Sequence, residues 1–159
     1  MCRLLIDAMV WNYVAKAGCL DGFLAALNLP PVVLPRVVQQ LKDAVTRWPE
    51  LAWVLQAEDD GRIECLELTS DEQLLQISLL NEHPGLGDVD CALLAVASVR
   101  GWMLLTCDDK LSRVARKLKI QQADLKDVMD DAVASNCLTD ADRQWVVYYS
   151  EGGTTQRPR

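Results

Sequence analysis

The chain predicts an α/β fold, a three-layer α/β/α sandwich around a central parallel sheet. Three observations carry this expectation. Short apolar runs alternate with segments of helical spacing, the pattern of strands joined through helices. Two of those runs, Leu4-Leu5-Ile6 and Trp102 to Thr106, are short and dominated by apolar residues, as strands covered on both faces are. Between them lies Asp88 to Val99, a helix that is apolar almost all round and therefore buried.

Taken in order, Arg3 to Ile6 is the first buried strand. Val10 to Leu27 reads as a helix interrupted near Gly18, with Leu20, Phe23, Leu24 and Leu27 at helical spacing. Pro30-Pro31 ends it, Val32-Val33-Leu34 is a brief extended stretch, and Pro35 opens a helix over Arg36 to Arg47. A helix over Glu50 to Ala57 precedes the turn Glu58-Asp59-Asp60-Gly61. Arg62 to Leu68 alternates like a strand, and Thr69-Ser70-Asp71-Glu72 caps a helix through Leu80. After the Asn81 to Gly87 loop come the apolar helix and the strand already named. Lys110 to Leu118 is then a helix, and Ile120 to Gln122 is an edge strand. Ala123 to Ser135 is a helix ending at Asn136, a residue that tolerates the left-handed conformation. Thr139 to Tyr149 is the last helix, with Thr139 and Asp142 spaced as a capping box. With no repeat and no linker, residues 1–149 are expected to form one domain and residues 150–159 a disordered polar tail.

A chain of 159 residues, half of them hydrophobic, can bury a substantial core and is not a disordered protein. Its apolar runs are too short to span a bilayer, and Met1-Cys2-Arg3 directly before a strand leaves no room for a signal peptide. A soluble, cytoplasmic protein with no membrane contact is the expectation. The six cysteines form no C-x-x-C pair, which argues for reduced, mostly buried thiols rather than zinc ligands or disulfides. His83 is the only histidine, so a histidine-based triad could use no other and a His-rich metal site is excluded. An enzyme built from this chain is left with oxygen chemistry.

A net charge of −7 is unfavourable for nucleic acid, but the charge is unevenly spread. From Lys110 to Lys119 five cations occur with no acid among them, while Asp124 to Asp142 is strongly acidic. The basic run is either a solvated helix face or a phosphate-contacting edge, in which Lys110, Arg113 and Arg116 make the contacts. Arg36, Lys42 and Arg47 form a second, thinner basic group. The five tryptophans could stack on bases, but their apolar surroundings favour packing.

The acids are the most informative residues. Asp7 closes the first strand, Asp108 and Asp109 follow Leu104-Leu105-Thr106-Cys107, and Asp88 and Asp90 open the apolar helix. In a parallel sheet, ligands gather outside the carboxyl ends of the strands, so these positions converge. Carboxylates there are costly unless a positive group faces them, and the simplest such group is a divalent metal ion. The plainer alternative is that each acid caps a helix.

These residues resemble the PIN domain family, which includes VapC-type toxin ribonucleases. The resemblance is carried by the strand ending in Asp7, the helix opened by Pro35, the run Gly87-Asp88-Val89-Asp90-Cys91-Ala92-Leu93-Leu94-Ala95-Val96-Ala97 with Gly101 four residues on, and Leu104-Leu105-Thr106-Cys107-Asp108. It extends over roughly residues 3–137. It implies a ribonuclease that cuts single-stranded RNA with Mg²⁺ or Mn²⁺, as a toxin paired with an antitoxin protein and as a homodimer. On that resemblance Asp7, Asp90 and Asp108 are the catalytic acids and metal ligands. Asp88, about 200° round an ideal helix from Asp90, joins them only from the preceding loop. Thr106 and Asp109 are auxiliary.

The chain departs from the family at two places. Gln40 stands before Leu41 where the family has glutamate, with Asp43 one turn away as a partial substitute. Ala8 and Met9 follow Asp7 where the family has a hydroxyl residue, so a hydrogen bond to the first acid is expected to be missing. A catalytically weakened PIN-like module that binds RNA or protein is the alternative these departures support. A hydrolase using an aspartyl nucleophile is disfavoured, because its second Asp would fall at Met9.

Overall fold

A computed structural model describes residues 1–158. Among the described residues the chain forms five strands, all parallel, and nine helices. The sheet order is β3 (Glu64–Cys65), β2 (Pro31–Val33), β1 (Leu4–Ile6), β4 (Met103–Leu105), β5 (Gln122–Ala123). All three residues of β1 are buried, and successive side chains point to opposite faces, so both faces of the central strand are covered. This is the α/β/α sandwich that the alternating pattern predicts. The order reverses at β1, whose neighbours β2 and β4 lead away in opposite directions.

The helices form where the spacing puts them. α1 (Ala8–Lys16) and α2 (Leu20–Ala26) are separated at Gly18, which takes a left-handed φ of 70°. α3 (Pro35–Ala44) starts on its proline, and α4 (Leu51–Asp59) follows. α5 (Ser70–Glu82) opens on a capping box between Thr69 and Glu72. α6 (Asp88–Arg100) has every residue from Cys91 to Ala97 buried and stops at Gly101. α7 (Asp109–Lys117), α8 (Leu125–Ala134) and α9 (Asp140–Ser150) complete the chain. α8 ends as predicted beside Asn136, whose φ is 59°, and α9 carries the Thr139–Asp142 box. α1 packs on α4 and α9, α2 on α8, and α5 on α6. Among the described residues no helix is long and apolar enough to cross a membrane.

Two expectations change. The strand expected over Arg62 to Leu68 is reduced to Glu64–Cys65 at the sheet edge, where one neighbour alone supplies ladder bonds. The segment expected to be a disordered tail instead turns back onto α9. Arg157 Nη1 donates to the Ala17 carbonyl at 2.7 Å and to Asp142 Oδ1 at 2.6 Å, and its backbone N–H donates to the Tyr149 hydroxyl at 3.0 Å. Composition misses this because the order comes from one guanidinium and one phenol rather than from apolar burial.

The packing of α2 against the link between α8 and α9 allows one direct test. A Cβ on Gly22 would lie 2.3 Å from the Cys137 carbonyl oxygen and 2.4 Å from Leu138 Cδ2. Backbone cannot yield as a side chain can, so Gly22→Ala is expected to cost about 1–3 kcal/mol despite its better helix propensity. Urea denaturation measures this, and an unchanged midpoint would show that the two elements separate freely.

Candidate active site

Asp7 follows β1 directly and is the N-cap of α1: its Oδ1 accepts from the Val10 N–H at 3.2 Å. Its Oδ2 accepts from the Thr106 hydroxyl, and Thr106 Oγ1 in turn accepts from the Asp108 N–H at 3.0 Å. The hydrogen bond expected to be missing is therefore made from across the sheet, by the residue after β4 rather than the one after Asp7. Asp108 does not close the strand. It is the N-cap of α7, with Oδ1 accepting from the Leu111 N–H at 3.0 Å, while Asp109 is the first residue of that helix. Asp90, in the first turn of α6, accepts from the Gly87 N–H at 3.2 Å. All three acids thus sit at helix N-termini, where backbone N–H groups and the helix dipole favour negative charge.

These three acids line one open cleft of about 570 Å³, together with Gln40, Asp43 and Arg47. Gln40 and Asp43 lie one turn apart on α3, and Arg47, three residues past the end of that helix, joins them at the cleft wall. Asp43 is partly engaged, because Oδ1 accepts from Gln39 Nε2 at 2.9 Å. Burial raises the pKa of Asp7, partly offset by the Thr106 and backbone hydrogen bonds, and the charge of Asp90 adds to the rise. Burial likewise raises that of Asp90, and Asp108 adds to it. The carboxylates are coupled like charges, which helix capping by itself does not require.

Other predicted residues lie elsewhere. Asp88 is separated from Asp90 as the helix geometry implies: Oδ2 pairs with Arg36 at 2.7 Å and Oδ1 accepts from Gln76 Nε2 at 2.8 Å. It anchors α6 to α3 and α5 and does not line the cleft. Lys110, Arg113 and Arg116 are exposed on α7, opposite its buried Leu111, Val114 and Ala115, and do not line the cleft either. All six cysteines are free. Burial, then the nearby Asp7 and Asp124, push the Cys107 thiol up to about 11, so no thiolate nucleophile forms beside the acids near neutral pH.

The donor set is carboxylate oxygen with one amide oxygen, the hard ligands that magnesium and manganese prefer. Among the described residues no three His, Cys, Asp or Glu side chains stand close enough to enclose an ion by themselves. Magnesium is commonly held by one or two carboxylates, with waters and substrate oxygens completing the shell, so an open cleft of acids suits it.

The family model described as PIN domain matches residues 5–117, most of the chain. No curated protein matches the sequence. Among solved structures, the crystal structure of PAE2754 from Pyrobaculum aerophilum is similar in fold. It has a TM-score of 0.59 and 18% sequence identity, over 84% of this chain and 90% of that one.

Proposed function

The chain belongs to the PIN domain family, whose members are generally nucleases, and from that premise we propose a Mg²⁺- or Mn²⁺-dependent endoribonuclease that cuts single-stranded RNA. One observation supports the reading above others: Asp7, Asp90 and Asp108, from three remote segments, line a single cleft beside β1, where the sheet order reverses.

In this reading one or two of Asp7, Asp90 and Asp108 would hold the ion directly, with water and substrate oxygens completing its shell. Bound there, it supplies Lewis-acid charge for the phosphodiester and acidifies water. Asp7 is oriented by Thr106 and by the Val10 N–H, so its carboxylate is held in place before ligand arrives. Gln40 offers a neutral oxygen in place of an acid, and Asp43 contributes charge at the cleft wall. The exposed cations Lys110, Arg113 and Arg116, on the helix that Asp108 caps, contact backbone phosphates leading to the cleft. The six free thiols agree with action in the cytoplasm. Leu74, Ile77 and Val99 are 66%, 56% and 52% exposed on α5 and α6. They offer apolar surface for an antitoxin or a second copy of the chain, the arrangement of a toxin–antitoxin pair.

Gln40 also favours a second reading, a PIN-like module that binds RNA or protein and cuts weakly or not at all. Incubation of a mixed single-stranded RNA pool with Mn²⁺ separates the two. The nuclease cleaves, and excess EDTA stops it; binding without cleavage supports the module. Gln40→Glu restores a carboxylate and is expected to tighten Mn²⁺ binding by calorimetry about tenfold, equivalent to about 1.4 kcal/mol. Unchanged affinity would mean that Gln40 does not face the ion.

A further inference from the structure

We propose that Trp48, Lys16 and Arg47 form a nucleotide subsite that continues the acid cleft, taking a base and phosphate of single-stranded RNA beside the cut. The inference rests on the nuclease reading for the identity of its ligand. Arg47 and Trp48 line the acid cleft and also a second hollow of about 450 Å³, walled further by Lys16, Glu50, Tyr149 and Gln156. The two spaces therefore share a wall, and a strand crossing the acids reaches the tryptophan next.

The chemistry of that wall fits a nucleotide. Trp48 follows α3 and is only partly buried. It is held by its N–H bond to the Ala44 carbonyl at 2.8 Å and by the Leu51 N–H on its own carbonyl at 3.1 Å. Lys16 Nζ rests 3.5 Å from the centre of the ring and the Arg47 guanidinium 5.3 Å from it. Among the described residues neither cation is ion-paired to a carboxylate, in a chain whose net charge is −7. Glu50 is the acid in this hollow, leaving it one positive charge in excess. A base stacking on the indole displaces the Lys16 ammonium from the ring face, and the ammonium follows the phosphate. Trp48 thereby differs from Trp11, which is fully buried against Phe23, and from Trp102, buried beside β4.

The test measures anisotropy of a fluorescein-labelled 12-nucleotide single-stranded RNA pool in EDTA, so that cleavage plays no part. Trp48→Leu is expected to weaken binding about tenfold and Trp48→Phe to retain most of it, because stacking needs a π-face rather than indole itself. Lys16→Met with Arg47→Met is expected to flatten the dependence of log K on log salt by roughly 1.4, about 0.7 for each phosphate charge lost. If Trp48→Leu does not fold by circular dichroism, Trp48→Phe and the salt slope decide. Wild-type affinity and slope in these variants, or no binding by the wild type, would overturn the subsite. Manganese-dependent cleavage by the wild type alongside that result would leave the nuclease reading standing. Weakened binding in the variants with no cleavage by any form would sink the nuclease and keep the subsite.

Discussion

Asp7→Asn is expected to lower manganese-dependent RNA cleavage about 10²- to 10³-fold, the scale of removing one charge-stabilising group from a transition state, and to raise the thermal stability of the metal-free chain at pH 7. The second half is the more discriminating. Asn is as good an N-cap as Asp, so the bond from the Val10 N–H survives the change. What is lost is a buried negative charge whose pKa is raised in the folded state by desolvation, with the neighbouring Asp90 adding to it. Between the unfolded pKa and the raised folded one, the native chain binds more protons than the unfolded chain. The stability of the wild type therefore falls as pH rises through that window and stays lower above it. The gain from Asp7→Asn should be present at pH 7 and vanish below about pH 4, near the ordinary aspartate value. Melting in EDTA at both pH values measures it. Destabilisation at pH 7 would mean that the Thr106 hydrogen bond to Oδ2, which an amide nitrogen at that position does not accept, outweighs the cost of burying the charge.

Arg100→Met is expected to produce the largest loss of stability of any single change considered, about 3–5 kcal/mol, the usual result of removing one partner from a buried ion pair. Glu72 is fully buried; Arg100 Nε donates to its Oε1 at 2.5 Å and Arg100 Nη2 to its Oε2 at 3.0 Å. The same guanidinium donates to the Glu67 carbonyl at 3.0 Å and lies over the Trp102 ring. Burial pushes the Glu72 pKa up, but the Arg100 and Thr69 hydrogen bonds outweigh it and hold the carboxyl below its ordinary range. A depressed native pKa contributes stability above the unfolded value and loses it as pH falls through the native one. The variant instead buries an uncompensated carboxylate, which acid neutralises. The difference between the two chains should narrow below about pH 4.5, the ordinary glutamate range. Adding Glu72→Gln to Arg100→Met should recover much of the loss. Urea midpoints at pH 7 and pH 4 read both effects, and a pH-independent difference would place the cost in packing rather than in charge.

The parts of this fold legible in the sequence are those where one local rule acts alone. Leu4-Leu5-Ile6 has no polar member, α6 buries seven consecutive residues, and Thr69 and Thr139 each reach their acid three positions on. Those elements would be found from composition and spacing whatever surrounded them. The candidate site was partly legible for the same reason: Asp7 and Asp90 follow or open apolar segments, and the helical twist separated Asp90 from Asp88. Where long-range partners decide, the sequence was silent. It could not show that Thr106 would reach Asp7 across the β1–β4 pair, that Glu72 would bury itself on Arg100, or that Arg36 and Gln76 would claim Asp88. Arg47 and Trp48 were visible only as members of a basic group and of a tryptophan count. Their place beside the acids follows from the turn after α3, which carries Arg47 and Trp48 along the wall where α3 presents Gln40 and Asp43.

The stretch that matches the family ends at residue 117, yet the core does not. Ile120, Leu125, Met129, Leu138 and Val146 are buried in the same apolar cluster as β1 and α6, and Arg157 fastens onto the end of α1. The boundary of the family model is therefore not a boundary of folding. A fragment cut at residue 117 would keep Asp7, Asp90 and Asp108 but strip the helices α8 and α9 that pack on α2 and α1. The family model marks one part of this chain, and the remaining forty or so residues are what let that part stand.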